Sequence, residues 1–384
     1  MMRSAFSFSR LSVFSYVLSA CSAMHVWCQP CVFPELISYR NIDGGAVDVV
    51  VDGEVAYTLS SVGGMSVLDI ADPGESVVVG SVGDQVSGSR MAKYGDYIYI
   101  AGWTSIEVID VSNPSAPLHI ASVSDMGSSP NDIFVYNGYA YVQDRFNGLV
   151  VYDMADPQEP VQVAVRSIGG NSTGRVYCDG NRVYATDGLF GGVAVFDITT
   201  PDNPVLLSQY HAGTHPADIA VRNGVAFIAD GYGIEVVDLS SPAMPSVLGR
   251  VATPGSSRAI ELVDDTIYVA DTGAGLQVIS ISEPDNPILV GGLDTQGSAT
   301  GIFVDASRET AFLAAGLLQS FQRISIGVHG CMSDVNCDGV VNPADFSAWV
   351  TSFNNNERGC DQNSDRVCTA ADFSAWVANF NRGC

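Results

Sequence analysis

With 384 residues, 47% of them hydrophobic, the chain is long enough to bury a sizeable core and to carry a second, smaller domain. Charge is sparse and one-sided: 15% of residues are charged, 42 acidic against 17 basic, for a net charge of −25 at pH 7. That balance argues against nucleic acid or an anionic membrane surface as partner, and fits bound calcium or solubility in a salty exterior.

Residues 1–24 have the layout of a signal peptide. Arg3 and Arg10 precede the apolar run Leu11–Ala20, which is too short to span a bilayer, and small residues follow. Leu18-Ser-Ala-Cys21 also has the pattern of a lipobox, which would place lipid on Cys21; ordinary cleavage near Ala23 is the alternative. No later segment reaches membrane-spanning length, so the expected location is exported, secreted or on the cell surface. Export makes disulfides available to the cysteine-containing leader, 25–34. Cys28 and Cys31 form a C-x-x-C without a βαβ context and read as staples, whereas Cys178, in Arg175-Val-Tyr-Cys-Asp-Gly180, reads as a buried free thiol.

The body of the chain repeats one phrase. Met65-Ser-Val-Leu-Asp69 runs to Pro73, Ile106-Glu-Val-Ile-Asp110 to Pro117, and Leu149-Val-Val-Tyr-Asp153 to Pro160. Val193-Ala-Val-Phe-Asp197 runs to Pro204, Ile234-Glu-Val-Val-Asp238 to Pro245, and Leu276-Gln-Val-Ile-Ser280 to Pro287. The fifth residues are 41 to 44 apart, too regular for chance. A β-branched run suits a buried strand, a terminal Asp can accept the N–H groups of the turn it opens, and the prolines fix φ where the chain leaves the ladder. Between copies, Ala217–Asp230 reads as strand, tight Gly turn, strand, and Ser246–Val251 as a further strand. Four short strands per unit of this length describe a propeller blade.

Together these residues resemble the bacterial LVIVD repeat over about 35–326, a resemblance that implies propeller architecture and surface location but no reaction. Counting strands gives seven blades in an all-β ring. Glu35-Leu-Ile-Ser-Tyr-Arg40 follows Pro34 as Val205–Tyr210 follows Pro204, and so stands as an orphan fourth strand. Gly301–Val304, Ala311–Ala314 and Leu318–Gln322 supply only three strands of a seventh repeat, so the N-terminal strand is expected to close the ring and remove its exposed edges.

The last segment, 327–384, changes character. Asn342-Pro-Ala-Asp-Phe-Ser-Ala-Trp-Val350 is duplicated as Thr369-Ala-Ala-Asp-Phe-Ser-Ala-Trp-Val377, each after an acidic loop. In loop 334–345, Asp334, Asn336, Asp338, Asn342 and Asp345 occupy EF-hand positions 1, 3, 5, 9 and 12, with a carbonyl expected from Val340. Loop 361–372 offers Asp361, Asn363, Asp365, Val367, Thr369 and Asp372 at the same spacing. Two calcium sites are expected, the second weaker, because Arg366 stands where Gly would take the unusual backbone conformation at a cost of about 1 kcal/mol. Each loop leading into one helix, with Asp at position 12, resembles a dockerin. That resemblance implies a small α-helical, calcium-stabilised module that attaches to a surface or extracellular protein. The positions dockerins use to recognise cohesin are here Pro343-Ala344 and Ala370-Ala371, without hydroxyls, so a related anchoring partner is expected rather than a cellulosomal cohesin.

Within the propeller no nucleophile elbow, zinc motif, phosphate loop or dinucleotide fingerprint appears, and the five histidines are scattered. Aligning the inner strands brings Asp48, Arg90, Asp132, Arg175 and Asp218 to one level in five successive blades, with Ala259 and Gly301 in the last two. Alternating signs would give an ion pair at each of four blade contacts, or a charged rim for a small polar ligand or peptide. The leading functional reading is a non-catalytic binding or scaffold propeller held by its C-terminal module; the alternative is an extracellular polysaccharide hydrolase or lyase.

Overall fold

The computed structural model describes residues 34–326, apart from 84, 125–127, 169–173, 188–191, 212–215 and 317–319, and beyond them only Val350 and Val377, each a helical residue. Pro34–Gly327 forms one compact unit, and the rest of the chain is assigned to a second. The signal-type segment, the leader cysteines and both calcium loops lie outside the described residues. No helix among the described residues is long and apolar enough to cross a membrane.

The described strands make seven four-stranded antiparallel sheets. Blades one to six are continuous in sequence, over 48–82, 88–123, 130–166, 176–211, 218–252 and 256–293. Blade seven takes Gly301–Asp305, Thr310–Ala314 and Phe321–Ser325, and its fourth strand is Glu35–Arg40 from the other end of the unit. Each blade is covered on both faces by its neighbours, so its middle strands are buried along nearly their whole length, as in Val55–Ser60 and Tyr97–Gly102. The core therefore lies between blades: Leu149 and Val151 of blade three pack with Val176, the free thiol of Cys178 and Phe196 of blade four.

The repeated phrase performs the turn its residues suggest. Oδ1 of Asp69, Asp110, Asp153, Asp197 and Asp238 accepts the N–H two residues ahead at 2.7–2.9 Å, opening each exit from the third strand. Hydroxyl and N–H donation by Ser112, Thr199 and Ser240 holds Asp110, Asp197 and Asp238 below the usual carboxylate range.

The outer strands share two further devices. Each slips register by one residue against the third strand, leaving a bulge at Val79, Ile120, Val163, Leu207, Leu248 and Val290 in blades one to six. The N-terminal strand carries the same bulge at Ile37, so it is a true seventh copy and not an improvised cover. The residue after every bulge is small: Gly80, Ala121, Ala164, Ser208, Gly249, Gly291 and Ser38. At Gly80, Gly249 and Ser38 the proline turn of the next blade lies against it. A Cβ at Gly80 would stand 2.3 Å from the Pro114 carbonyl oxygen, and one at Gly249 would stand 2.6 Å from Pro287 Cδ. Ser38 Oγ donates to the Pro73 carbonyl across the closure.

At that closure, Ile42, Val49 and Leu68 of the first blade's side share a buried cluster with Phe312 and Phe321 of blade seven. The Arg323 guanidinium lies over the Phe312 ring and donates to the carbonyls of Asp72 and Glu75 in blade one. Deleting residues 34–40 is expected to lower the melting temperature and to cause concentration-dependent association, because it bares the Phe321–Ser325 edge; light scattering and thermal unfolding check both. Gly249→Val, which drives a side chain into Pro287, should cost about 1–3 kcal/mol in denaturant unfolding without changing the secondary-structure spectrum.

Candidate functional site

The inner strands wall a central channel of about 400 Å³. Strand alternation sends every second residue into it, so the channel is lined in rungs. Asp48, Arg90, Asp132, Arg175 and Asp218 all contribute to the lining, and strand register puts them on one rung with Ala259 and Gly301. One rung deeper stand Val50, Phe134, Tyr177, Glu261 and Phe303.

Alternation of sign does not produce four ion pairs. Only Arg90 and Asp48 meet directly, at 3.2 Å. Arg90 also donates to the carbonyls of Val47 and, in blade seven's approach, Thr300, so its guanidinium bridges the closure of the ring. The three carboxylates do something the charges alone do not predict. Oδ2 of Asp48, Asp132 and Asp218 accepts the N–H of Met91, Val176 and Ile260, each at 2.9 Å and each on the inner strand of the following blade. Every second blade thus clamps its successor through backbone, which a charge pattern cannot reveal.

Arg175 is left over. Its backbone is fixed by N–H donation to Thr186 Oγ1, but its buried Nε has no hydrogen-bond partner and no carboxylate lies within ion-pair distance among the described residues. Burial and the like charge of Arg90 lower its pKa, while Asp132, Asp218 and Asp48 act at longer range to raise it. Burial likewise pushes Asp132 up to about 6, against the pull of Arg175 and the Val176 N–H. Asp48 is raised for the same reason, with Arg90 opposing.

Glu261 was not singled out from sequence, since its rung is otherwise apolar or aromatic and shows no alternation to betray it. It sits on the channel wall, and desolvation there, with the nearby charges of Asp218 and Asp48, raises its pKa to about 8. A second polar cluster was also missed: buried Glu107 accepts from Ser105 and from Ser122 Oγ at 2.5 Å, with His119 Nε2 at 2.8 Å. The same His119 nitrogen faces both the carboxylate and the hydroxyl, so the trio lacks the two-sided imidazole of a nucleophilic triad. His211 is an exposed strand residue, while His215, His25 and His329 lie outside the described residues. Among the described residues no group of three or more His, Cys, Asp or Glu is placed to hold a metal.

The charged rung lies at the end of the blades where the second strand turns into the third. Asp48 pairs with Leu59, just before the turn through Val62; Arg90 with Ala101, before Trp103; Asp132 with Gln143, before Phe146; and Asp218 with Ala229, before Tyr232. These four turn residues are 67%, 59%, 55% and 75% exposed. Side chains behind them fix the turns: Ser60 Oγ accepts from Val62 N–H, Asp144 Oδ1 from Phe146 N–H and Asp230 Oδ1 from Tyr232 N–H. Apolar and aromatic groups are thus held outward around a polar mouth.

The geometry is that of a seven-bladed β-propeller with a polar central channel. A family model described as the LVIVD repeat matches residues 43–84, 88–125, 127–164, 214–253 and 254–295, more than half of the chain, and the chain belongs to that family. Blade four, which holds Arg175, falls between the matched segments. Curated proteins gave no match. Among solved structures, the Pan2 WD40 domain of Neurospora crassa is similar over 80% of this chain and 98% of its own, at 13% identity and a TM-score of 0.61. The WD40 repeats of RRP9 are similar over 78% of this chain and 100% of theirs, at 12% identity and 0.63. The computationally designed Ika8 protein covers 76% of this chain at 11% identity, with a TM-score of 0.57. Identities this low speak for the fold alone.

Two outcomes follow from the unequal arginines. Arg90→Met should cost about 3–5 kcal/mol, since it strands the buried Asp48 carboxylate, whereas Arg175→Met should be neutral or stabilising, since it removes a buried charge without a close partner; urea unfolding of both variants checks this. Glu261 has a folded pKa above its ordinary one, so its contribution to stability is complete below about pH 4.5 and is lost as pH rises through about 8. Glu261→Gln should therefore match the parent near pH 4 and melt progressively higher than it by pH 8.5.

Proposed function

We propose that the chain is an exported, non-catalytic binding propeller whose recognition surface is the face bearing the channel mouth. In this reading, residues 327–384 form the dockerin-like module that attaches it, with calcium, to a surface or extracellular protein. The observation that carries the binding reading is the set of outward-held residues Val62, Trp103, Phe146 and Tyr232 around a polar opening, since rigid aromatics beside a polar centre supply contact area at low entropic cost. A glycan and peptide array probed with the full protein, and again with Trp103→Ala plus Tyr232→Ala, tests it: signals should fall together in the double variant, and an array profile unchanged by it would remove the face from the argument.

The attachment reading rests on oxygen spacing in the two loops. All-oxygen donor sets at positions 1, 3, 5, 7, 9 and 12 suit calcium, and the crowded carboxylates Asp334, Asp338, Asp345, Asp361, Asp365 and Asp372 repel one another without a cation. Titration calorimetry on the whole protein should give a tighter site lost in Asp334→Ala and a weaker one lost in Asp361→Ala. A thousandfold excess of calcium over the dissociation constant should stabilise the module by about 4 kcal/mol per site.

A second reading, hydrolysis or elimination on a polysaccharide, draws on the raised pKa values of Asp132 and Glu261 in one channel. Glycosidic cleavage needs two carboxyl groups disposed about the bond, and Asp132 and Asp218 are already committed to the N–H groups of the next blade. A polysaccharide panel incubated with parent and Glu261→Gln decides it: turnover lost in the variant would favour the enzyme.

A further inference from the structure

We propose that the channel binds a small zwitterion of the amino-acid class, its carboxylate on Arg175 and its ammonium on Glu261. This deepens the binding reading above and rests on it. The two anchors are singled out by what they lack. Arg90, the repeat-equivalent of Arg175, is engaged by a carboxylate and two backbone carbonyls, while Arg175 faces the same channel with a buried, unpartnered Nε. A guanidinium offers a planar fork that two carboxylate oxygens match, and such charge-assisted pairs are the strong hydrogen bonds of a protein.

A simple anion does not fit as well. The rung carries three carboxylates against two guanidiniums, Glu261 adds a fourth acid one rung below, and Lys93, deeper on the wall, is already paired with Asp52. A ligand bearing only negative charge would meet this excess; one bearing an ammonium as well would offset it. Glu261 makes no hydrogen bond or ion pair among the described residues, and an arriving ammonium supplies the positive neighbour that lets this raised-pKa carboxyl ionise. The two anchors stand on neighbouring rungs, separated along the strand direction by two residues, or roughly 7 Å. They belong to blades four and six, so the ligand must reach across the channel as well as along it, which calls for its two charges at opposite ends of a chain. The volume of about 400 Å³ admits such a molecule and not a folded segment.

The test is calorimetric titration of the full protein with glycine, β-alanine, γ-aminobutyrate and 5-aminovalerate, against propionate and propylamine as single-charge controls and diglycine as the peptide form. At least one free zwitterion should bind, and each control should bind about tenfold or more weakly. Arg175→Met and Glu261→Gln should each weaken that zwitterion by about tenfold or more, while the melting curves show both variants folded. A preference for diglycine over every free amino acid would make peptide termini the source of the same chemistry. Binding of no zwitterion, or equal binding by parent and Arg175→Met, would overturn the proposal. Array binding that depends on Trp103 and Tyr232 would survive either result, so the two readings fail separately.

Discussion

The ring exists only if the strand Glu35–Arg40 finds Phe321–Ser325 after some 280 residues of chain have been wound between them. Six blades can form from local contacts, each made of strands joined by short turns, but the seventh cannot, and without it both flanking blades expose a sheet face meant for a neighbour. The bulge at Ile37 and the small residue Ser38 show how closely the closing strand obeys the rule of the other outer strands. Phe312, Phe321 and Arg323 then bind the last blade to the first through a cluster and two carbonyls.

An odd number of blades also shapes the channel. Alternating Asp and Arg around seven positions cannot return to its starting sign, so the pattern must break somewhere. It breaks at blades six and seven, where Ala259 and Gly301 carry no charge. Gly301 is further constrained by space: a Cβ there would stand 2.9 Å from Asp48 Cα and 3.0 Å from Asp48 Oδ1. Arg90 reaches past blade one to the carbonyl of Thr300, the residue before Gly301, while the buried Nε of Arg175 has no hydrogen-bond partner. Two arginines identical in sequence pattern are therefore unequal in environment.

Much of this was legible before any coordinates. Six copies of the strand-to-Pro phrase marked six blades, the three strands of 301–322 with the orphan strand after Pro34 made the seventh, and the five charged residues of the rung followed from alignment of the inner strands. What stayed hidden depends on approach between segments distant in sequence. The small residue after a bulge looks ordinary until, as at Gly80, Gly249 and Ser38, the next blade's prolines are seen against it. The carboxylate-to-backbone clamps involve N–H groups, which every residue but proline possesses and no sequence advertises. Glu261 is a lone acid on an otherwise apolar rung, and only its position in the channel gives it meaning.

The closing ladder has a mechanical consequence. Because the first and last strands are antiparallel, with Glu35 opposite Ser325, the propeller begins and ends at the same corner of the same blade. Tension applied between the segment before residue 34 and the segment after 326 would bypass six blades and fall on that one pair of strands, peeling them apart one hydrogen bond at a time instead of shearing them all at once. A protein tethered at both ends would yield first by releasing its N-terminal strand, and the ring would pass from closed circle to open arc at low force while its other blades stayed folded.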